Sequence, residues 1–213
     1  MASADRSSKL KKRYLILATS LGFAIGSWFL WRAVMAPARA AAHNLMAINS
    51  LSAGETTEAQ LLLRPEFQKL DRHCDQDLCF YHMEAQNTLL SSLHLAPRMF
   101  VGSMVMVRDG VVVETSVFIM REGLTPVAFS QVERLPKECQ SDPCIRYVRP
   151  PSKILMNVNI VFDRRSDFRN RMPEVVNTHC LAQLRGCASY SELVPLMKEL
   201  KVEEGEMGKD SGR

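Results

Sequence analysis

Eighteen consecutive residues without a charge, Tyr14 to Trp31 (YLILATSLGFAIGSWFLW), dominate the pattern of apolar and polar positions along this chain. At 1.5 Å per residue they would form a helix of about 27 Å, close to the roughly 30 Å hydrocarbon core of a bilayer. Trp28, Phe29 and Trp31 gather at its far end, where amphipathic rings suit the headgroup boundary. Residues 14–34 are therefore predicted to be a transmembrane signal-anchor. Cleavage after Ala38-Arg39-Ala40 is the rival reading. It is disfavoured because the apolar run exceeds the 7–15 residues of a signal-peptide core and because Arg32 separates it from the cleavage site.

Beyond the anchor the periodicity changes several times. Residues 35–54, rich in alanine, read as a membrane-proximal linker, helical at first and broken at Ser52-Ala53-Gly54. From Thr56 to Arg72 the pattern suggests helix in two pieces divided at Pro65. Met83 to Leu95 suggests a further helix, with Leu89, Leu90 and Leu93 as its apolar stripe and Pro97 ending it.

From Met99 the chain turns to β-branched and apolar runs. Residues 99–123 predict a hairpin across Arg108-Asp109-Gly110, because aspartate tolerates a left-handed backbone and glycine adopts one freely. Further strands are expected at Pro126–Leu135, Cys144–Val148 and Lys153–Asp163. In the last of these Ile154, Met156, Val158, Ile160 and Phe162 alternate with Asn157 and Asn159, the period of a sheet with one buried face. Ser189 and Glu192 have capping-box spacing, ahead of Leu193, Leu196, Met197 and Leu200. The predicted fold class is α+β: an N-terminal transmembrane helix followed by one small domain (residues 55–201), whose antiparallel sheet of about five strands is packed by helices. Residues 202–213 are expected to be a disordered tail.

Charge sharpens the topology. The whole chain is formally +4, but residues 1–42 hold seven basic side chains against one acid, and the remainder is formally −2. The basic segment 1–13 should remain cytoplasmic and send the C-terminal domain across the membrane, into the periplasm if the source is a bacterium. A domain without excess positive charge argues against a nucleic-acid partner. The expected partners are the lipid bilayer and other membrane or envelope proteins.

All six cysteines follow the apolar segment, as the close pairs Cys74/Cys79, Cys139/Cys144 and Cys180/Cys187. In an oxidising compartment an even count in such pairs predicts three local disulfides. The decapeptide HCDQDLCFYH, His73 to His82, also offers two sulfurs and two imidazoles to a metal. Its ligands, however, crowd into one short stretch instead of two separated halves, so no metal is expected. Asp75 and Asp77 are expected to satisfy backbone amides of the clipped turn. No C-x-x-C, nucleophile elbow, phosphate loop, dinucleotide fingerprint or H-E-x-x-H motif occurs, and no cofactor is expected. Met104 and Met106 share one side of a predicted strand and read as core packing, not as copper ligands.

A cluster of cations, Arg146, Arg149, Lys153, Arg164, Arg165, Arg169 and Arg171, flanks the strand Lys153–Asp163 and is a candidate contact for an anionic partner. The function expected from the sequence is a non-catalytic, membrane-anchored interaction, scaffold or accessory subunit of an envelope complex. Two alternatives remain. One is a tethered enzyme with a site assembled from scattered residues such as His73, His82 and His179; the other is a domain binding lipid headgroups or another anion through the arginines.

Overall fold

The structure is a computed structural model and describes residues 3–70, 72–124, 126–148, 157–166 and 174–200. Helix α1, Ser3–Asn49, is continuous over 47 residues. Among the described residues it is the one helix long and apolar enough to cross a membrane. Its side chains are exposed from Leu15 through Ala33 and begin to be covered at Val34.

The second half of α1 corrects the expectation of a linker. Residues 35–54 carry Ala38, Ala41, Leu45, Ala47, Ile48, Leu51 and Ala53 into the hydrophobic core. Small alanines on the buried side let the helix lie close on the sheet, and Leu45 and Ile48 fill the space between. The second half of the helix is therefore part of the domain's own hydrophobic cluster.

The domain is α+β, with strands β1 (Arg72–Asp75), β2 (Leu78–Gln86), β3 (Met99–Arg108), β4 (Val111–Arg121), β5 (Val127–Val132), β6 (Cys144–Val148) and β7 (Asn157–Asp163). They form a seven-stranded sheet in the order β1-β2-β3-β4-β5-β7-β6. Two strands more than expected come from residues 72–86: His73–His82 was expected only as a clipped turn, and the residues from Met83 as helix. Helix α2 is confined to Glu58–Leu62, capped by the reciprocal Thr57–Gln60 box, and α3 to Thr88–Ser92. Between them Cys79, Tyr81, Met83 and Ala85 alternate inward while β2 pairs with β3 along its whole length. That pairing overrides the helix propensity of Met-Glu-Ala-Gln.

The sheet is mixed, not purely antiparallel: β7 enters between β5 and β6 and runs parallel to β5. Val158, Ile160 and Phe162 are fully buried, so β7 occupies an interior position and leaves the shorter β6 at the edge. The strand expected from Lys153 is described from Asn157; Ile154 and Met156 lie outside the described residues, as do residues 202–213.

The β3–β4 turn matches its sequence signature. Asp109 and Gly110 both have positive φ, 52° and 74°, as a two-residue turn following the sheet's twist requires. Alongside it the chain after α1 zips onto β4: Gly54 N–H donates to Val112 O and Val112 N–H to Thr56 O. The C-terminal end of α1 is thus fixed at the end of the sheet where β3 turns into β4. A single helical layer, formed by the second half of α1, a 3-10 turn at Thr178–Ala182, α4 (Tyr190–Leu193) and α5 (Leu196–Glu199), shares one hydrophobic cluster with one face of the sheet. Ser189 Oγ accepts the Glu192 amide as expected of a cap, but the Glu192 carboxylate turns to the amide of Ala188. Leu193, Leu196 and Met197 are buried.

Candidate functional site

Alternation along each strand gives the sheet a second face, which no helix covers among the described residues. In β2 it presents Phe80, His82 and Glu84, in β3 Phe100, Met104 and Met106, and in β4 Glu114, Phe118 and Met120, none of them fully buried. Met104 and Met106 are therefore not packed in the core, contrary to expectation. They occupy the half-buried middle of an open surface. The bulge at Val107, where β4 carries one extra residue, keeps the alternation of β3 and β4 matched on both sides of it.

Small residues line the centre. Gly102 leaves room for the Phe100 ring, since a Cβ there would stand 2.6 Å from Phe100 Cε1, and His82 stacks on that ring with centroids 6.2 Å apart. Ser116 and Ser130 join side chains at 3.0 Å, and Ser116 Oγ donates to Glu114 at 2.6 Å. On β7 the buried Asn159 Oδ1 has no hydrogen-bond partner among the described residues. Soft methionines, aromatic rings and a polar border make this face chemically suited to a protein surface; such residues are enriched in interface cores.

At the margin of this face a cleft of about 410 Å³ opens where β2 runs past the end of β1, with His43, Glu66, His82 and Glu84 on its walls. His43 Nε2 lies 4.0 Å from Glu66 Oε1. No group of three or more histidine, cysteine or acidic side chains suited to one metal ion is present among the described residues. His73 is exposed on the edge strand β1 and His179 is exposed on the 3-10 turn, so neither joins His82 in that cleft.

The three cysteine pairs are bonded as the local pairing predicts: Cys74–Cys79, Cys139–Cys144 and Cys180–Cys187, with Cα separations of 4.0, 5.5 and 5.1 Å. Cys74 and Cys79 face each other directly across the β1–β2 hairpin, and the turn between is Gln76-Asp77, with Gln76 at φ 52°. Asp75 and Asp77 make no side-chain hydrogen bond among the described residues, so the turn is held by the strand pairing and the bridge. Next to it Arg72 Nη2 and the Tyr81 hydroxyl converge on Glu58 Oε1 at 2.9 and 2.5 Å, tying α2 to the hairpin. Burial and the adjacent Glu58 carboxylate push the Tyr81 phenol up to about 12.

The arginines divide between separate places. Arg164 is half-buried, 2.9 Å from Glu55, and reaches Ala53 O at 3.4 Å, so it braces the end of α1. Arg146 pairs with Glu138 at 3.2 Å. Arg165 is exposed beside Arg164, its amide donating to Asp163. Arg149, Lys153, Arg169 and Arg171 lie outside the described residues. The two ends of β7 are opposite ends of a seven-residue strand, about 20 Å apart at 3.3 Å per residue, and do not converge.

No known family model matches the chain, and comparison with curated proteins and with solved structures finds no match.

Proposed function

We propose that this chain is a single-pass membrane protein with a cytoplasmic N-terminus and an extracytoplasmic domain that acts without catalysis as an interaction or accessory subunit of an envelope complex. The observation that carries the reading is the continuity of α1. Its apolar first half is bare, whereas its second half is part of the domain's core. A domain mounted in this way holds its sheet at a set height and angle to the bilayer, which suits a docking platform. The open face supplies the contact surface, with Phe100, Met104 and Phe118 as its apolar centre and His82, Glu84 and Glu114 as its polar border. Three disulfides are consistent with an oxidising compartment.

Two measurements test this. Protease should digest the domain in spheroplasts or right-side-out vesicles while leaving it intact in sealed inverted ones; the reverse pattern overturns the topology. Affinity purification from gently solubilised membranes should recover a partner with the native chain and lose it with Met104→Asp/Phe118→Asp. Identical recovery by both chains would sink the open face as the contact surface.

A further inference from the structure

The two ends of the sheet stand at different distances from the membrane-spanning half of α1. Because α1 terminates beside the β3–β4 turn, the opposite end, where β2 finishes and β3 begins, faces back along the helix toward the span. Val34, half-covered by the domain, is three residues beyond Trp31, a rise of about 4.5 Å. With the apolar half of α1 across the bilayer, as proposed above, this near end of the domain would sit at headgroup level.

Its surface has the chemistry of that level. Leu93 and Leu95, in the turn between α3 and β3, are 56% and 48% exposed, and Leu184, in the loop closed by Cys180–Cys187, is 61% exposed. The two loops abut, since a Cβ added at Gly186 would stand 3.3 Å from Pro97 Cγ. Between them opens a cleft of about 810 Å³ lined by His94, Arg98, Glu122 and Arg185. The Glu122 carboxylate accepts the Arg98 amide at 3.2 Å, and neither the Arg98 nor the Arg185 side chain has an ion-pair partner among the described residues.

We propose that this end of the domain docks on the leaflet from which α1 emerges. Leu93, Leu95 and Leu184 enter the boundary between headgroups and acyl chains, and Arg98 and Arg185 hold phosphate oxygens of anionic lipids in the cleft. The proposal rests on the anchored reading above. Tethering makes the contact intramolecular, so a few leucines and two guanidinium groups suffice where they would not recruit a free protein.

The test uses the full chain in lipid nanodiscs, with a dansyl amino acid incorporated at position 95, 184 or, as the far-end control, 63, where Leu63 is exposed beside α2. Lipids spin-labelled at the headgroup should quench positions 95 and 184 strongly and position 63 weakly. With phosphatidylglycerol present, Arg98→Gln or Arg185→Gln should each weaken docking by about fivefold at low salt, an effect that added salt diminishes. Quenching at 95 and 184 no stronger than at 63 overturns the proposal. In the unlabelled chain, quenching of Trp28 and Trp31 by lipids brominated on the acyl chains reports insertion independently. Quenched tryptophans with unquenched 95 and 184 defeat the docking alone, whereas unquenched tryptophans defeat the anchored reading and the docking with it.

Discussion

Tyr81 is almost wholly enclosed, and its hydroxyl shares the Glu58 oxygen with Arg72. Burial denies the phenolate its water, and the phenol's hydrogen bond to the Glu58 carboxylate and that group's negative charge further favour the protonated form, which is why its pKa rises from 10.0 to about 12. Because the folded-state pKa lies above the unfolded one, the stabilisation is fully present below pH 10 and is lost as pH rises toward 12. Unfolding at graded pH should show that decline in the native chain and a weaker one in Tyr81→Phe. A spectroscopic titration should show one late-ionising tyrosine that the substitution removes. A Tyr81→Phe chain that loses stability along the same curve would disprove the assignment. This cluster was invisible in the sequence, since Glu58, Arg72 and Tyr81 become neighbours only when α2 folds against the β1–β2 hairpin.

At the scale of elements, α1 changes role partway along its length. Leu45 and Met46 are adjacent in sequence and similar in bulk, yet Leu45 is buried against the sheet and Met46 is 57% exposed. Leu45→Ala is expected to destabilise the domain by roughly 2–5 kcal/mol, as large core truncations do. Met46→Ala should stay within about 0.5 kcal/mol. Urea unfolding in a mild detergent distinguishes them; equal costs would mean that α1 does not pack as described. By the same reasoning a soluble fragment beginning after residue 54 lacks part of its own core and should fail to fold, whereas one beginning at Arg32 should succeed. The alanine run was legible as helix. That it was core was not, because Ala38 and Ala41 look like spacer residues until a sheet lies within reach of them. The residues of β2 misled in the opposite direction: a helix-forming composition from Met83 to Gln86 hid the continuation of an inward alternation that begins at Cys79.

At the scale of the whole molecule, the disulfides divide by position. Cys74 is exposed at the sheet's outer edge, whereas Cys180 and Cys187 are buried where the 3-10 turn packs against α1. Thiolate attack needs access, so a mild reductant should open Cys74–Cys79 in the native state. Cys180–Cys187 should open only when the helical layer separates from the sheet. Alkylation with mass mapping over time should show that order, and simultaneous reduction of both pairs would contradict the packing. The loops are short, and each bridge is worth only about 2 kcal/mol on the chain-entropy estimate. Their main effect is therefore to hold local turns, including the Cys180–Cys187 loop that presents Leu184 and Arg185 at the near end.

Local chemistry was enough to place the apolar first half of α1, the pairing of neighbouring cysteines, the Asp109-Gly110 turn and the inward alternation of β7. Each depends on residues a few positions apart: an uninterrupted apolar length, a short loop, a positive φ, a period of two. Tertiary structure alone decided the strand order that inserts β7 between β5 and β6, the fusion of α1 with the core and the exposure of Met104 and Met106 on an uncovered face. It also set Arg146 apart from Arg164 and brought Leu93, Leu95, Leu184, Arg98 and Arg185 to the end of the domain nearest the apolar half of α1. Those outcomes depend on which distant surfaces cover one another. Hydrophobic burial is non-directional, so sequence periodicity shows that a face is to be covered without naming what covers it.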